Sequence, residues 1–298
     1  MAERTEISWC DATFNPWIGC TKVSPGCDHC YAEAMMADRY GRVEWGPHGS
    51  RSRTSPANWR KPLAWNRTSA AADRRMRVFC ASLADVFDNH RSIAPEWRAD
   101  LWRLIASTPS LDWLLLTKRP QNIGKMMPPG TAEFGWPNVW LGTTAENQAE
   151  ADRRIPVLLR TRAVVRFLSV EPLLGPVDLT DYLPWIDWVI VGGESGPKAR
   201  PMHPEWARSL RDQCAAAGVA FHFKQHGNWL ATYDRERDDP DWRRCDVVAR
   251  GPGRWLNLAG GQGFHGDRVV RVENVGKKAA GRLLDGREHN GFPGGGGE

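Results

Sequence analysis

Three cysteines, Cys20, Cys27 and Cys30, fall within eleven residues as C-x6-C-x2-C, and a Pro25-Gly26 turn between the first two folds the segment back on itself. Thiolates are soft ligands, and three packed this tightly point to one soft metal centre, either iron–sulfur or zinc. The number of ligands matters. Structural zinc asks for four, whereas an iron–sulfur cube held by three thiolates keeps one iron open to another molecule. His29 and His48 are candidates for a fourth zinc ligand, but His29 adjoins Cys30 and no second C-x2-C pair exists. Iron–sulfur is the better fit.

Other residues suited to chemistry follow short apolar runs. Ser82 and Asp85 come after Val78–Ala81, and Thr117-Lys118-Arg119 after Trp113–Leu116. Thr143, Thr144, Glu146 and Asn147 come after Val139–Leu141, and Ser169 and Glu171 after Val164–Leu168. Gly192-Gly193-Glu194-Ser195 follow Trp188–Val191, and Lys224-Gln225-His226 follow Val219–Phe223. These runs read as strands buried on both faces. Helical patterns alternate with them. Pro95–Ser107 places Trp97, Leu101, Leu104 and Ile105 on one face, and Pro204–Ala217 places Trp206, Leu210 and Cys214 on another, closed by Gly218. Strand–helix–strand repetition implies a parallel sheet, and in a β/α barrel all the polar strand ends meet at one mouth. The expected fold class is therefore α/β, a partial (β/α)6 TIM-like barrel.

Around that body, Tyr31–Tyr40 reads as a helix stopped by Gly41, which puts Cys30 at a helix N-terminus where the dipole favours thiolate. Residues 41–76 read as a long excursion with one short helix. Arg51, Arg53, Arg60, Lys61, Arg67, Arg74, Arg75 and Arg77 crowd it, with Trp59 and Trp65 between them. Such interleaving grips phosphates and stacks bases, or else is an Arg-rich surface whose tryptophans pack inward. Residues 1–226 are expected to form the barrel with the cysteine loop 15–33. Residues 227–271 form an irregular insertion or cap, 272–292 pack back on the barrel, and 293–298 are a disordered tail. Cys80 and Cys214 fall at core positions, and His222, between two phenylalanines of a strand, reads as a structural histidine.

Composition sets bounds. At 298 residues the chain can bury a large core, and 41% hydrophobic with 25% charged residues is an ordinary globular balance. No apolar run is long enough to span a bilayer, and Met1-Ala2-Glu3-Arg4 lacks the start of a signal peptide, so a cytoplasmic location is expected. Seven cysteines, three of them clustered, suit metal ligation in a reducing compartment better than a disulfide framework. A net charge of +5 is too mild to demonstrate a polyanionic partner.

The stretch N-P-W-I-G-C…G-C-D-H-C-Y-A-E, Asn15–Glu33, resembles the cluster loop of radical SAM enzymes. It is closest to the branch containing spore photoproduct lyase, although six residues rather than three separate the first two cysteines. The whole chain also resembles a phage and prophage family called Gp37/Gp68, known by a three-cysteine motif. The shared stretches are I-S-W-C-D-A-T-F-N-P-W and G-K-K-A-A-G-R-L-L-D-G. The first resemblance implies a [4Fe-4S] cluster on Cys20, Cys27 and Cys30, with S-adenosylmethionine (SAM) as cofactor. It also implies reductive SAM cleavage and hydrogen abstraction from a substrate. Lys118, in L-L-T-K-R-P, matches a lysine that meets the SAM carboxylate. Ser82, Thr143 and Thr144 match hydroxyls on the same side more loosely, and Gly192-Gly193-Glu194 matches the glycine-rich segment near the SAM amine. Cys245 is a candidate hydrogen donor. The expected partners are a DNA or RNA substrate, a one-electron reductant such as flavodoxin or ferredoxin, and a protein encoded nearby, with no membrane; the setting is a bacterial or phage-infected cell. Two other readings stand beside this one. One is a zinc-stabilised nucleic-acid-binding protein without redox chemistry, and the other a barrel hydrolase using Glu171 and Glu194.

Overall fold

The computed structural model describes residues 5–234, 253–263 and 267–294. In chain order the strands are β1 (Ala12–Phe14), β2 (Trp17–Ile18), β3 (Ser52–Arg53), β4 (Met76–Cys80), β5 (Leu111–Thr117) and β6 (Val139–Thr144). They continue as β7 (Val165–Val170), β8 (Trp188–Gly192), β9 (Ala220–Gln225), β10 (Trp229–Asp234), β11 (Gly253–Leu256) and β12 (Val270–Asn274). Seven of them make one sheet in the order β1-β4-β5-β6-β7-β8-β9. The sheet is open, with β1 and β9 as its edges, so the fold is mixed α/β on a parallel sheet and not a closed barrel. All six apolar runs became strands. The seventh, β1, is only three residues long and ends at the cysteine-bearing stretch, which is why no periodicity announced it.

By contacts the chain divides into two units, Met1–Thr144 with Arg153–Leu168, and Ala145–Asp152 with Ser169–Glu298. In the first, β1 pairs β4, β4 pairs β5 and β5 pairs β6, all parallel. Parallel pairing brings the C-terminal ends of these strands to one edge, so Asn15, Ser82, Thr117-Lys118-Arg119 and Thr143-Thr144 share it. The interior is apolar and aromatic: Phe14, Trp113, Leu114 and Leu115 are fully buried. The Trp113 indole still finds a partner, donating to Thr108 Oγ1 at 3.0 Å, as a buried tryptophan N–H requires. Helix Pro95–Ala106 buries Leu101, Trp102, Leu104 and Ile105.

The excursion at 41–76 holds more structure than its composition suggested. Pro56–Ala71 is a sixteen-residue helix, begun by Ser55, whose hydroxyl accepts from the Asn58 amide at 3.3 Å, and by Pro56 in the first turn. It buries Pro62, Trp65 and Ser69, which recur at helical spacing on one face. An interior proline and a polar residue on that face blurred the apolar stripe.

In the second unit β8 and β9 pair in parallel, and helix Pro204–Ala217 buries Trp206, Ala207, Leu210 and Cys214. Gly218 ends it in the left-handed conformation (φ +68°). Residues 227–271, expected to be irregular, contribute to an antiparallel sheet in the order β10-β12-β11. Trp229, Leu256, Val270 and Val272 are buried there. The edge strand β9 is covered by residues 289–291: the Phe223 amide donates to His289 O at 3.0 Å and the Gly291 amide to Phe221 O at 2.9 Å. That blunts an exposed strand edge. Within residues 272–292, Lys277–Ala280 forms a short helix. Most of the expected tail, and Cys245, lie outside the described residues. Among the described residues no helix is long and apolar enough to cross a membrane.

Candidate metal centre

The cysteine loop is clamped before it begins. Asn15, at the end of β1, accepts the Leu83 amide at 2.7 Å and exchanges side-chain hydrogen bonds with Ser82. β2 pairs antiparallel with β3, and the Gly19 amide donates to Leu83 O at 3.1 Å. Gly19 sits at φ +110°, and a Cβ there would stand 2.9 Å from Arg51 Cδ, so the chain passes only as glycine. Beyond it, Pro25–Cys27 makes one 3-10 turn. Cys30 then precedes the helical turn Tyr31–Glu33, which continues as the wider π-helical stretch Ala34–Arg39. The Tyr31 hydroxyl donates to Ser82 O at 2.6 Å and ties the helix start to the end of β4.

Cys20, Cys27 and Cys30 are free thiols, all half-buried. Burial pushes the Cys20 thiol up to about 12, against the Arg119 guanidinium and with Asp85 and Asp88 reinforcing the rise. Burial also raises Cys30; the Glu33 and Ala32 amides oppose it, Cys27 adds to it, and the Lys118 ammonium opposes it. Cys27, Cys30 and Lys118 are therefore electrostatic neighbours. Among the described residues no three His, Cys, Asp or Glu side chains stand close enough to hold a metal ion. The thiols share one loop without being closed into a ligand set. As donors they suit a thiolate-bound cluster: three soft atoms flanked by two cations that offset thiolate charge.

Beneath the loop lies a buried ionic network that the sequence did not announce as a unit. Asp85 accepts from Thr117 Oγ1 at 2.8 Å, the Lys118 amide at 3.2 Å and Arg119 Nη1 at 3.0 Å. Arg119 also donates to Thr21 O at 2.8 Å and lies 3.6 Å from Cys20 Sγ. Burial works against the Arg119 charge, yet Asp85, Cys20 and Asp88 hold its pKa above the usual arginine value. Arg51 completes the network through Asp88 Oδ2 at 2.8 Å and Thr21 Oγ1 at 2.7 Å. Counted from sequence among phosphate-gripping arginines, Arg51 is only 4% exposed and holds the cysteine loop. Asp-x-x-Asp after β4 and Arg119 after β5 were the available signal.

The rest of the basic stretch is similarly engaged. Arg53 pairs with Asp100 and lies over Trp59, Arg74 and Arg77 pair with Asp11, and Arg75 pairs with Asp112. Trp65 is buried. The inward-packing alternative describes most of these residues, and Arg60 and Arg67 stay on the exposed helix face.

Lys118 is different. Its amide is bound to Asp85, but its half-buried side chain makes no hydrogen bond or ion pair among the described residues. The hydroxyls proposed beside it are committed to the protein: Ser82 to Asn15, and Thr143 Oγ1 to Thr117 O at 2.9 Å. Thr143 and Thr144 are both buried.

In the second unit, Gly192 and Gly193 make room for the chain itself. A Cβ on Gly193 would stand 2.0 Å from His226 O, and one on Gly192 would stand 3.1 Å from Glu171 Oε1. Glu194 is buried and held by Arg200, whose backbone amide and side chain donate to Oε2 at 2.7 and 2.9 Å. Glu171 is gripped by Lys224, 2.8 Å from both carboxylate oxygens. His222 is fully buried, edge-on to Trp188.

A family profile described as "Protein of unknown function (DUF5131)" matches residues 4–293. No curated protein matches the chain, and no solved structure does.

Proposed function

We propose that this chain, which belongs to the family described as Protein of unknown function (DUF5131), is a radical SAM enzyme. In this reading Cys20, Cys27 and Cys30 hold a [4Fe-4S] cluster and Lys118 receives the carboxylate of SAM. The observation that carries it is the juxtaposition in the first unit of three free thiols on one loop with a half-buried lysine that has no hydrogen-bond or ion-pair partner among the described residues. A lysine kept without a counter-ion in a partly desolvated place is suited to a ligand's carboxylate.

Held by Cys20, Cys27 and Cys30, a cluster would supply one-electron reductive cleavage of SAM, with the electron drawn from a partner such as flavodoxin or ferredoxin. The chain's own residues have other tasks. Asp85 fixes the Lys118 backbone and, with Arg119, the floor of the loop. Asn15 and Tyr31 hold both ends of the loop to Ser82. The hydrolase reading loses support because both of its carboxylates are already engaged by cations of the chain, Glu194 by Arg200 and Glu171 by Lys224.

Lys118→Ala is the direct check. Loss of a charge-assisted contact should weaken SAM binding about tenfold or more while iron content stays at the wild-type value. Equilibrium dialysis of SAM against the reconstituted protein reads this, and unchanged affinity removes Lys118 from the role.

A further inference from the structure

We propose that a cleft beside the cysteine loop binds the phosphate of a phosphate ester of mononucleotide size. The cleft has a volume of about 540 Å³. Thr21 and Val23, from the segment between Cys20 and Cys27, line it together with Asp88 and Arg119. His48, Asn89 and Arg91 also line it. All three are exposed, and none makes a hydrogen bond, ion pair or ring contact among the described residues. Each can donate, and a guanidinium, an amide and an imidazole together suit the several terminal oxygens of a phosphate.

Charge sets the preference for an anion. The buried groups cancel: Arg51 and Arg119 face Asp85 and Asp88. Asp88 is also spent on its protein partners, with Oδ2 on Arg51 and Oδ1 accepting the His90 amide at 3.2 Å. Among the described lining residues, the arginine with no ion pair is Arg91. The walls are fixed in advance, because the His90 ring joins the two loops that form them. Its Nε2 lies 3.1 Å from Pro47 O and its Nδ1 2.8 Å from Ser92 Oγ, while Ser92 Oγ accepts the Arg51 amide at 2.8 Å. Fixed walls confine the ordering cost of binding to the donor side chains. The volume exceeds a phosphate and falls in the range of small-molecule pockets, leaving room for an organic group against Thr21 and Val23.

As the substrate subsite of the proposed reaction the cleft rests on the radical SAM reading; as a binding site it does not. The test is calorimetric titration of the full chain with two matched pairs: adenosine 5′-monophosphate against adenosine, and a 5′-phosphorylated against a 5′-hydroxyl tetranucleotide. The phosphorylated member should bind about tenfold or more tightly in at least one pair, the gain expected of a charge-assisted contact. A preference in the first pair identifies a free nucleotide, and a preference only in the second identifies a strand end. Arg91→Ala should abolish the preference and Arg67→Ala, on the exposed helix face, should retain it. No preference in either pair, or one that survives Arg91→Ala, overturns the inference. Binding is read without SAM cleavage, so a chain that shows the preference but never cleaves SAM keeps this site and loses the proposed reaction.

Discussion

Cys27→Ala, reconstituted anaerobically with iron and sulfide, should fold as the wild type does and hold less than about one iron per chain, against about four in the wild type. Of the three cysteines Cys27 is the cleanest to remove. Its sulfur lies 3.9 Å from Oγ of half-buried Ser24, and among the described residues Cys27 shares no hydrogen bond or ion pair with Asp85, Asp88, Arg51 or Arg119. Cys20, by contrast, is a partner of Arg119, and Cys30 adjoins the helix start. Two thiolates cannot hold a stable cube, so the iron loss should be near complete and SAM cleavage should fall to background. Iron analysis with a thermal melt separates the two effects. Full iron in a folded Cys27→Ala chain would remove it as a ligand.

Arg119→Met should have the largest effect on stability. The substitution leaves Asp85 buried with no guanidinium, since their 3.0 Å pair is almost completely withdrawn from solvent. Breaking a buried pair by removing one partner costs about 3–5 kcal/mol, which lowers the melting temperature on the order of 10 °C in a chain of this size. Lys118→Met is the matched control. It removes the neighbouring positive charge, has no ion pair to break, and should melt near the wild-type temperature. Equal melting of all three proteins would show that the network does not hold the loop.

Why these features were unequally legible in the sequence has physical causes. Buried parallel strands announce themselves, because β5 and β8 are nearly continuous apolar runs with polar ends. Helix Pro204–Ala217 was equally plain through Trp206, Leu210, Cys214 and the closing Gly218. Helix Pro56–Ala71 was not, because Pro62 and Ser69 occupy its buried face. At the candidate site the cysteines and Lys118 could be named from local spacing and strand position. Arg51 could not: its partners Asp88 and Thr21 are remote in sequence, and an arginine among arginines reads as surface until the fold pairs it. The Gly192-Gly193 pair is a case of a signal whose object the sequence leaves open. Glycine signals close approach, but the approaching groups near Gly193 and Gly192 are His226 O and the Glu171 carboxylate.

Of the arginines between 51 and 77, Arg51, Arg53, Arg74 and Arg75 are paired with Asp88, Asp100, Asp11 and Asp112. The proposed phosphate site lies instead at Arg91, in a cleft lined also by Thr21 and Val23 of the cysteine loop.

The central claim, that Cys20, Cys27 and Cys30 hold a SAM-cleaving cluster, is tested most directly by one assay on the anaerobically reconstituted full chain. Iron is quantified, the protein is reduced with dithionite in the presence of SAM, and the products are resolved by chromatography. The account predicts a brown protein with about four irons per chain that converts SAM to 5′-deoxyadenosine and methionine. Stoichiometric zinc in the protein from cells, with no 5′-deoxyadenosine formed after reconstitution, would contradict it.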